Sequence, residues 1–169
     1  MSSPETERTP LRLFLEDAEE AIVREMAARL RISPSAHYRG MEIIDLQPRM
    51  QALFKAYRES VSKRDPEPVS VFVNDIGRKR LQQEYDLEEL LLVLNILDAA
   101  VWERATAVFA PRGAEAFDDL RLLAEAVAWA KDSLVRVYAE EKEQERSAFG
   151  RLNKAFSDYL KIRYTGEGE

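Results

Sequence analysis

One imidazole and no thiol set the chemical limits of this chain: its 169 residues include a single histidine, His37, and no cysteine. Thiolate nucleophiles, disulfides, iron–sulfur clusters and Cys-containing zinc sites are therefore excluded together. A Ser-His-Asp relay would have to run through His37. That residue lies in Ser33-Pro34-Ser35-Ala36-His37-Tyr38-Arg39-Gly40, a loop by composition. A histidine between proline and glycine ordinarily faces solvent or stabilises a turn. The sharper alternative, a haem ligand or pH sensor, makes His37 the candidate cofactor residue. A proximal haem histidine needs a rigid apolar wall behind it, and the loop composition offers none, so no cofactor and no metal are expected.

Gly77-Arg78-Lys79-Arg80 is the densest basic cluster. At the carboxyl end of a helix each exposed cation complements the dipole by roughly 0.3–1 kcal/mol, so stability alone accounts for it. As an interaction patch, Arg78, Lys79 and Arg80 would dock an acidic protein surface or a phosphate, although no glycine-rich phosphate loop precedes them. Carboxylate pairs such as Asp118-Asp119 and Glu140-Glu141 are adjacent on helices and do not face each other, so they cannot share one substrate as acid and base. The residues assemble no catalytic constellation, and a non-enzymatic protein is expected. With 25 basic against 31 acidic residues the net charge is −6, a field that opposes nucleic-acid backbones.

Residues placed so sparsely must be carried by helices. Thr9-Pro10 caps and opens a first helix, and Leu11, Phe14, Leu15, Ala18, Ile22, Met26 and Leu30 step along it by threes and fours to about Arg31. Ser33-Pro34-Ser35 ends it. A second helix, capped by Asp45 with Pro48 in its first turn, carries Leu46, Met50, Leu53, Phe54, Tyr57 and Val61 and stops near Lys63. Val69-Ser-Val-Phe-Val73 alternates like a strand. Helix is preferred there, because Val69, Phe72, Val73, Ile76 and Arg80 share a face and no second strand lies nearby to pair.

Asp86-Leu-Glu-Glu89 is a capping box, and the helix it opens is apolar nearly all round from Leu90 to Trp102. Other elements should cover most of it, with Trp102 and Trp129 in the core. Pro111-Arg112-Gly113 closes that helix. Phe117, Leu120, Ala124, Val127, Leu134 and Tyr138 then begin a long amphipathic one with no breaker before Gly150. After a charged stretch, Phe149, Leu152, Phe156 and Tyr159 resume the stepping. A narrow stripe beyond a polar break suits pairing with another helix. The reading divides the chain into a helical domain, 1–140, and a carboxyl-terminal helical extension, 141–169.

The run Ile76-Gly-Arg-Lys-Arg-Leu-Gln-Gln-Glu-Tyr-Asp-Leu-Glu-Glu-Leu90, continuing to Leu97 and Trp102, resembles the amino-terminal sensor domain of the RsbT co-antagonist RsbRD family. Gly77, Arg78, Arg80, Tyr85, Asp86 and Leu87 to Leu90 carry the resemblance, which spans most of residues 10–140. Many members have glycine before the aromatic residue, where this chain has Glu84. The resemblance implies an all-α, globin-like or related fold of stress-response sensors that dimerise and signal through their last helix.

The expectations are an all-α compact bundle of about five helices with a long carboxyl-terminal helix, working as a sensory or regulatory homodimer with a signalling protein partner. A small-molecule or tetrapyrrole binder, its pocket between the fourth and fifth helices, is the alternative. No stretch approaches the roughly 20 apolar residues of a membrane span, and the amino terminus carries no apolar signal region, so a cytoplasmic location is expected.

Overall fold

The computed structural model describes the backbone of residues 9–165 and the side chains through residue 158. Five α-helices follow one another: α1 (Pro10–Arg31), α2 (Ile43–Lys63), α3 (Glu67–Gln82), α4 (Leu87–Phe109) and α5 (Phe117–Thr165), with a 3₁₀ segment, Ala110–Ala116, before the last. The described residues contain no strand. The all-α bundle with a long carboxyl-terminal helix is as the spacing predicts, and Val69–Val73 lies inside α3.

The helix ends follow their caps. Thr9 Oγ1 accepts from Arg12 N at 3.3 Å, and Pro10 takes the first turn, where its missing amide hydrogen removes no bond. In α4 the Asp86 carboxylate accepts from Glu89 N at 2.7 Å, and the Glu89 carboxylate accepts from Asp86 N at 3.3 Å. The start of α2 differs from expectation. Glu42 occupies the cap without a side-chain bond, Asp45 falls in the first turn, and Pro48 is already inside the helix. The helix therefore begins two residues before Asp45, whose charge still complements the positive end of the helix dipole.

The helices close a ring. α1 packs on α2 and α4, α3 on α2 and α5, and α4 on α5. α2 also reaches α5 across the middle, where the buried Tyr57 hydroxyl donates to the Leu123 carbonyl at 3.0 Å. That bond satisfies a phenol deep in the core, and burial there raises the Tyr57 pKa well above its usual range. Leu15, Ile22, Met26 and Leu30 of α1, Phe54 of α2 and Leu97 of α4 are fully buried in the same core.

α4 departs from the expected all-round burial. Leu90, Val93, Leu94, Leu97, Val101, Ala105 and Phe109 are buried, but Trp102 is 45% exposed. Two neighbours cover two sides of a helix, and Trp102, about 100° round from Val101, falls on the side neither α1 nor α5 reaches. Trp129 is partly buried against the core.

Candidate functional site

Two features stand out: a polar knot that ties the His37 loop to α4, and an apolar cavity beside it. The knot centres on Glu89. Besides closing the capping box, its carboxylate accepts from Ser35 Oγ at 2.5 Å, from His37 N at 3.0 Å and from His37 Nδ1 at 2.7 Å. An ionised carboxylate only accepts, so the Nδ1 of His37 carries the proton. The His37 ring stacks on Tyr85 at 3.9 Å, and Tyr38 meets the same ring edge-on at 5.3 Å. Arg80 lies over Tyr85 with its guanidinium carbon 5.2 Å from the ring centre.

Glu89 is only 7% exposed. Burial pushes its carboxyl up, but donation from Ser35, from the His37 amide and ring and from the Asp86 amide outweighs this and lowers the pKa to about 2. The knot is thus an anionic clamp that holds residues 35–38 in place, with Tyr38 N donating to Ser35 Oγ at 3.3 Å.

The clamp sets Tyr38 at one end of a cavity of about 330 Å³. Its walls are Met50 and Leu53 of α2, Phe72 and Val73 of α3, and Leu90, Val93 and Leu94 of α4, closed by Leu134 of α5. Arg49 and Arg80 line it as well. The tetrapyrrole alternative placed a pocket between the fourth and fifth helices. The cavity instead lies among α2, α3 and α4, because α4 and α5 pack directly on each other whereas α3 and α4 make little contact. His37 does not line it; its ring is engaged by Glu89 and Tyr85.

The basic cluster is split three ways. Arg78 turns to α5, donating to Glu140 at 2.6 Å with Glu141 at 3.9 Å, so its charge is met within the chain. Arg80 turns toward Tyr85 and the cavity, and Lys79 is exposed. Gly77 serves packing: a Cβ there would stand 3.1 Å from Leu134 Cδ1, so its absence lets α3 approach α5.

Past Glu141 the described side chains of α5 are exposed. Phe149, Leu152 and Phe156 are 61–66% exposed; the side chain of Tyr159 lies outside the described residues. The stripe extends back into the bundle. Val135, Lys142, Phe149 and Phe156 are spaced by seven, as are Tyr138, Glu145 and Leu152, with Lys142 Nζ donating to Glu145 at 2.8 Å between the two apolar parts.

The cavity's three polar contributors were not singled out together from the sequence. Tyr38, Arg49 and Arg80 belong to a loop and two helices, and no spacing relates them. The capping box did mark Glu89 as polar at a helix start, though not its reach to Ser35 and His37. Among the described residues no group of three or more His, Asp or Glu side chains could hold a metal ion, and no helix is long and apolar enough to cross a membrane. No protein-family model, curated protein or solved structure matches the chain.

Proposed function

We propose that this chain is a non-enzymatic, cytoplasmic regulatory domain that pairs with a second copy along the outer half of α5 and passes a change in bundle packing through that helix to a signalling partner. The observation that carries the reading is the continuity of α5. One helix closes the cavity with Leu134 and then leaves the bundle bearing Phe149, Leu152 and Phe156 in the open. From residue 142 to residue 165 it extends about 35 Å at 1.5 Å per residue. An exposed apolar stripe at heptad spacing gains most by facing its own copy. The Arg78–Glu140 pair and the Gly77–Leu134 approach tie α3 to α5 where the helix departs, so a movement of α3 reaches the outer half. A signal acts only through its difference in affinity for two such packings. The RsbRD-type resemblance of the Gly77-to-Leu90 run points the same way.

Sedimentation of the full chain tests the pairing. A dimer is expected at micromolar concentration, and Phe149→Glu with Phe156→Glu should give a monomer whose bundle melts at the wild-type temperature. A wild type that stays monomeric at high micromolar concentration would remove the mechanism.

A second reading, binding of a small molecule, is favoured by the cavity. Its volume lies at the low end of the roughly 300–1,000 Å³ of ordinary ligand pockets, and its lining is largely apolar with a few convergent polar groups.

A further inference from the structure

The end of the cavity occupied by Tyr38 has an unusual charge state for so acidic a molecule. The net charge is −6, and the described surface is laced with ion pairs: Arg12 with Glu16, Arg58 with Glu19, Arg104 with Glu25, Arg78 with Glu140. Arg49 and Arg80 are among the basic residues outside that pattern, and both of them line the cavity. Neither has a carboxylate partner among the described residues. Arg49 meets only the weak acceptor Met41 Sδ at 3.9 Å, and Arg80 donates to the neutral Gln83 Oε1 at 2.8 Å while lying over Tyr85. Both are half-buried.

Tyr38 completes the set. The residue is 4% exposed, and its hydroxyl makes no hydrogen bond within the described residues; the oxygen is not among the fully buried unpartnered atoms, so it keeps access to solvent and is free to donate to a ligand. Burial raises its pKa to about 12, so it remains a donor at neutral pH; Tyr85 and the Glu89 carboxylate raise the value as well, while Arg80 and Arg49 draw it down. Two guanidiniums without a salt-bridge partner and a phenol free to donate, lining an otherwise apolar cavity, form a half-built anion site, the nearby Glu89 carboxylate being taken up by its own donors in the clamp. A carboxylate accepts from Arg in a two-pronged geometry, and such charge-assisted bonds are about twice as strong as neutral ones. The walls beyond, Leu53, Phe72, Val73, Leu94 and Leu134, offer nothing polar to the rest of a ligand.

We propose that the cavity binds an amphipathic carboxylate, its head held by Arg49, Arg80 and the Tyr38 hydroxyl and its hydrocarbon body lying between α2, α3 and α4 against Leu134. The inference rests on the small-molecule reading above and names its ligand class. Ligand size is bounded by the volume, which favours a medium-length chain over a large ring system. The loop that presents Tyr38 is fixed by the Glu89 clamp, so the head-group site is positioned before any ligand arrives.

Isothermal titration of the full chain with decanoate and, separately, with 1-decanol tests it. Decanoate should bind at least tenfold more tightly than the alcohol and raise the melting temperature. Arg49→Gln, which breaks only the weak Met41 contact, should lower decanoate affinity severalfold toward that of the alcohol and leave the alcohol unchanged. Val93→Phe, which pushes a ring into the cavity, should weaken both at least tenfold. Equal binding of acid and alcohol would overturn the head-group assignment while leaving the cavity reading intact; failure of both to bind would overturn both. Decanoate binding that is unchanged in Val93→Phe would place it elsewhere, on the exposed stripe of α5, and so overturn the inference.

Discussion

Replacing Glu89 by glutamine probes the clamp with almost no change of shape. The carboxylate accepts four donors from three residues in two segments, Ser35 Oγ, the His37 amide and ring, and the Asp86 amide. A glutamine can offer one carbonyl oxygen but must turn an NH2 toward the donors on the other side. A carboxyl displaced from its ordinary 4.5 to about 2 contributes about 3 kcal/mol at neutral pH, at 1.36 kcal/mol per unit. Because the folded value is depressed, the contribution is complete above the unfolded value near 4.5 and declines as the pH falls toward 2. By pH 3 about 2 kcal/mol of it is gone. Other carboxylates titrate over the same range, so the quantity to read is the difference between wild type and Glu89→Gln. Urea unfolding at pH 7 should show the variant less stable by about 3 kcal/mol, and at pH 3 by about 1 kcal/mol. A difference that does not narrow on acidification, or one below about 0.5 kcal/mol at pH 7, would mean that the charge on Glu89 does not hold the loop.

Two further substitutions test the packing and the backbone. Leu94→Ala, at a position 3% exposed and bordering the cavity, should cost about 2–5 kcal/mol in urea melts and tend to the upper half, because neighbours cannot collapse onto a space already open on one side; a loss under 0.5 kcal/mol would contradict its place in the core. Glu84 has φ 67° in the turn between α3 and α4, a left-handed geometry that disfavours side chains by roughly 1–2 kcal/mol. Glycine there relieves that strain and gives back part of it in chain entropy, so Glu84→Gly should stabilise by about 0.5–1 kcal/mol in thermal melts, and a destabilised variant would show the turn to be unstrained.

What the sequence made legible was local. The Thr9-Pro10 start, the Asp86–Glu89 box and the three-and-four stepping of apolar residues each involve partners within four positions, so α1, α4 and the buried faces could be read directly. The choice of helix for Val69–Val73 depended on the lack of a pairing strand, a global condition that composition could supply. The outer stripe of α5 was visible for the same reason as the core: Phe149, Leu152 and Phe156 repeat at helical steps whether or not anything covers them.

The site itself depends on contacts that local pattern does not encode. Ser35 and Glu89 are 54 positions apart and His37 and Glu89 are 52, and Tyr38, Arg49 and Arg80 converge only because α3 folds back between α2 and α5. Spacing gave Glu89 one role, at the helix start, and a carboxylate with two oxygens and about four acceptor positions has room for a second that only the fold can fill. Trp102 errs in the opposite direction: its type and its neighbours Ala100 and Val101 argue for the core, and the exposure comes from how many helices are available to surround α4. Both cases turn on the ring order of the helices, a property of loop lengths and packing and not of any one segment. The same ring order sets α3 beside α2 and away from α4, opens the apolar space among the three, and leaves two arginines at its edge without the carboxylates that pair with many others in the chain.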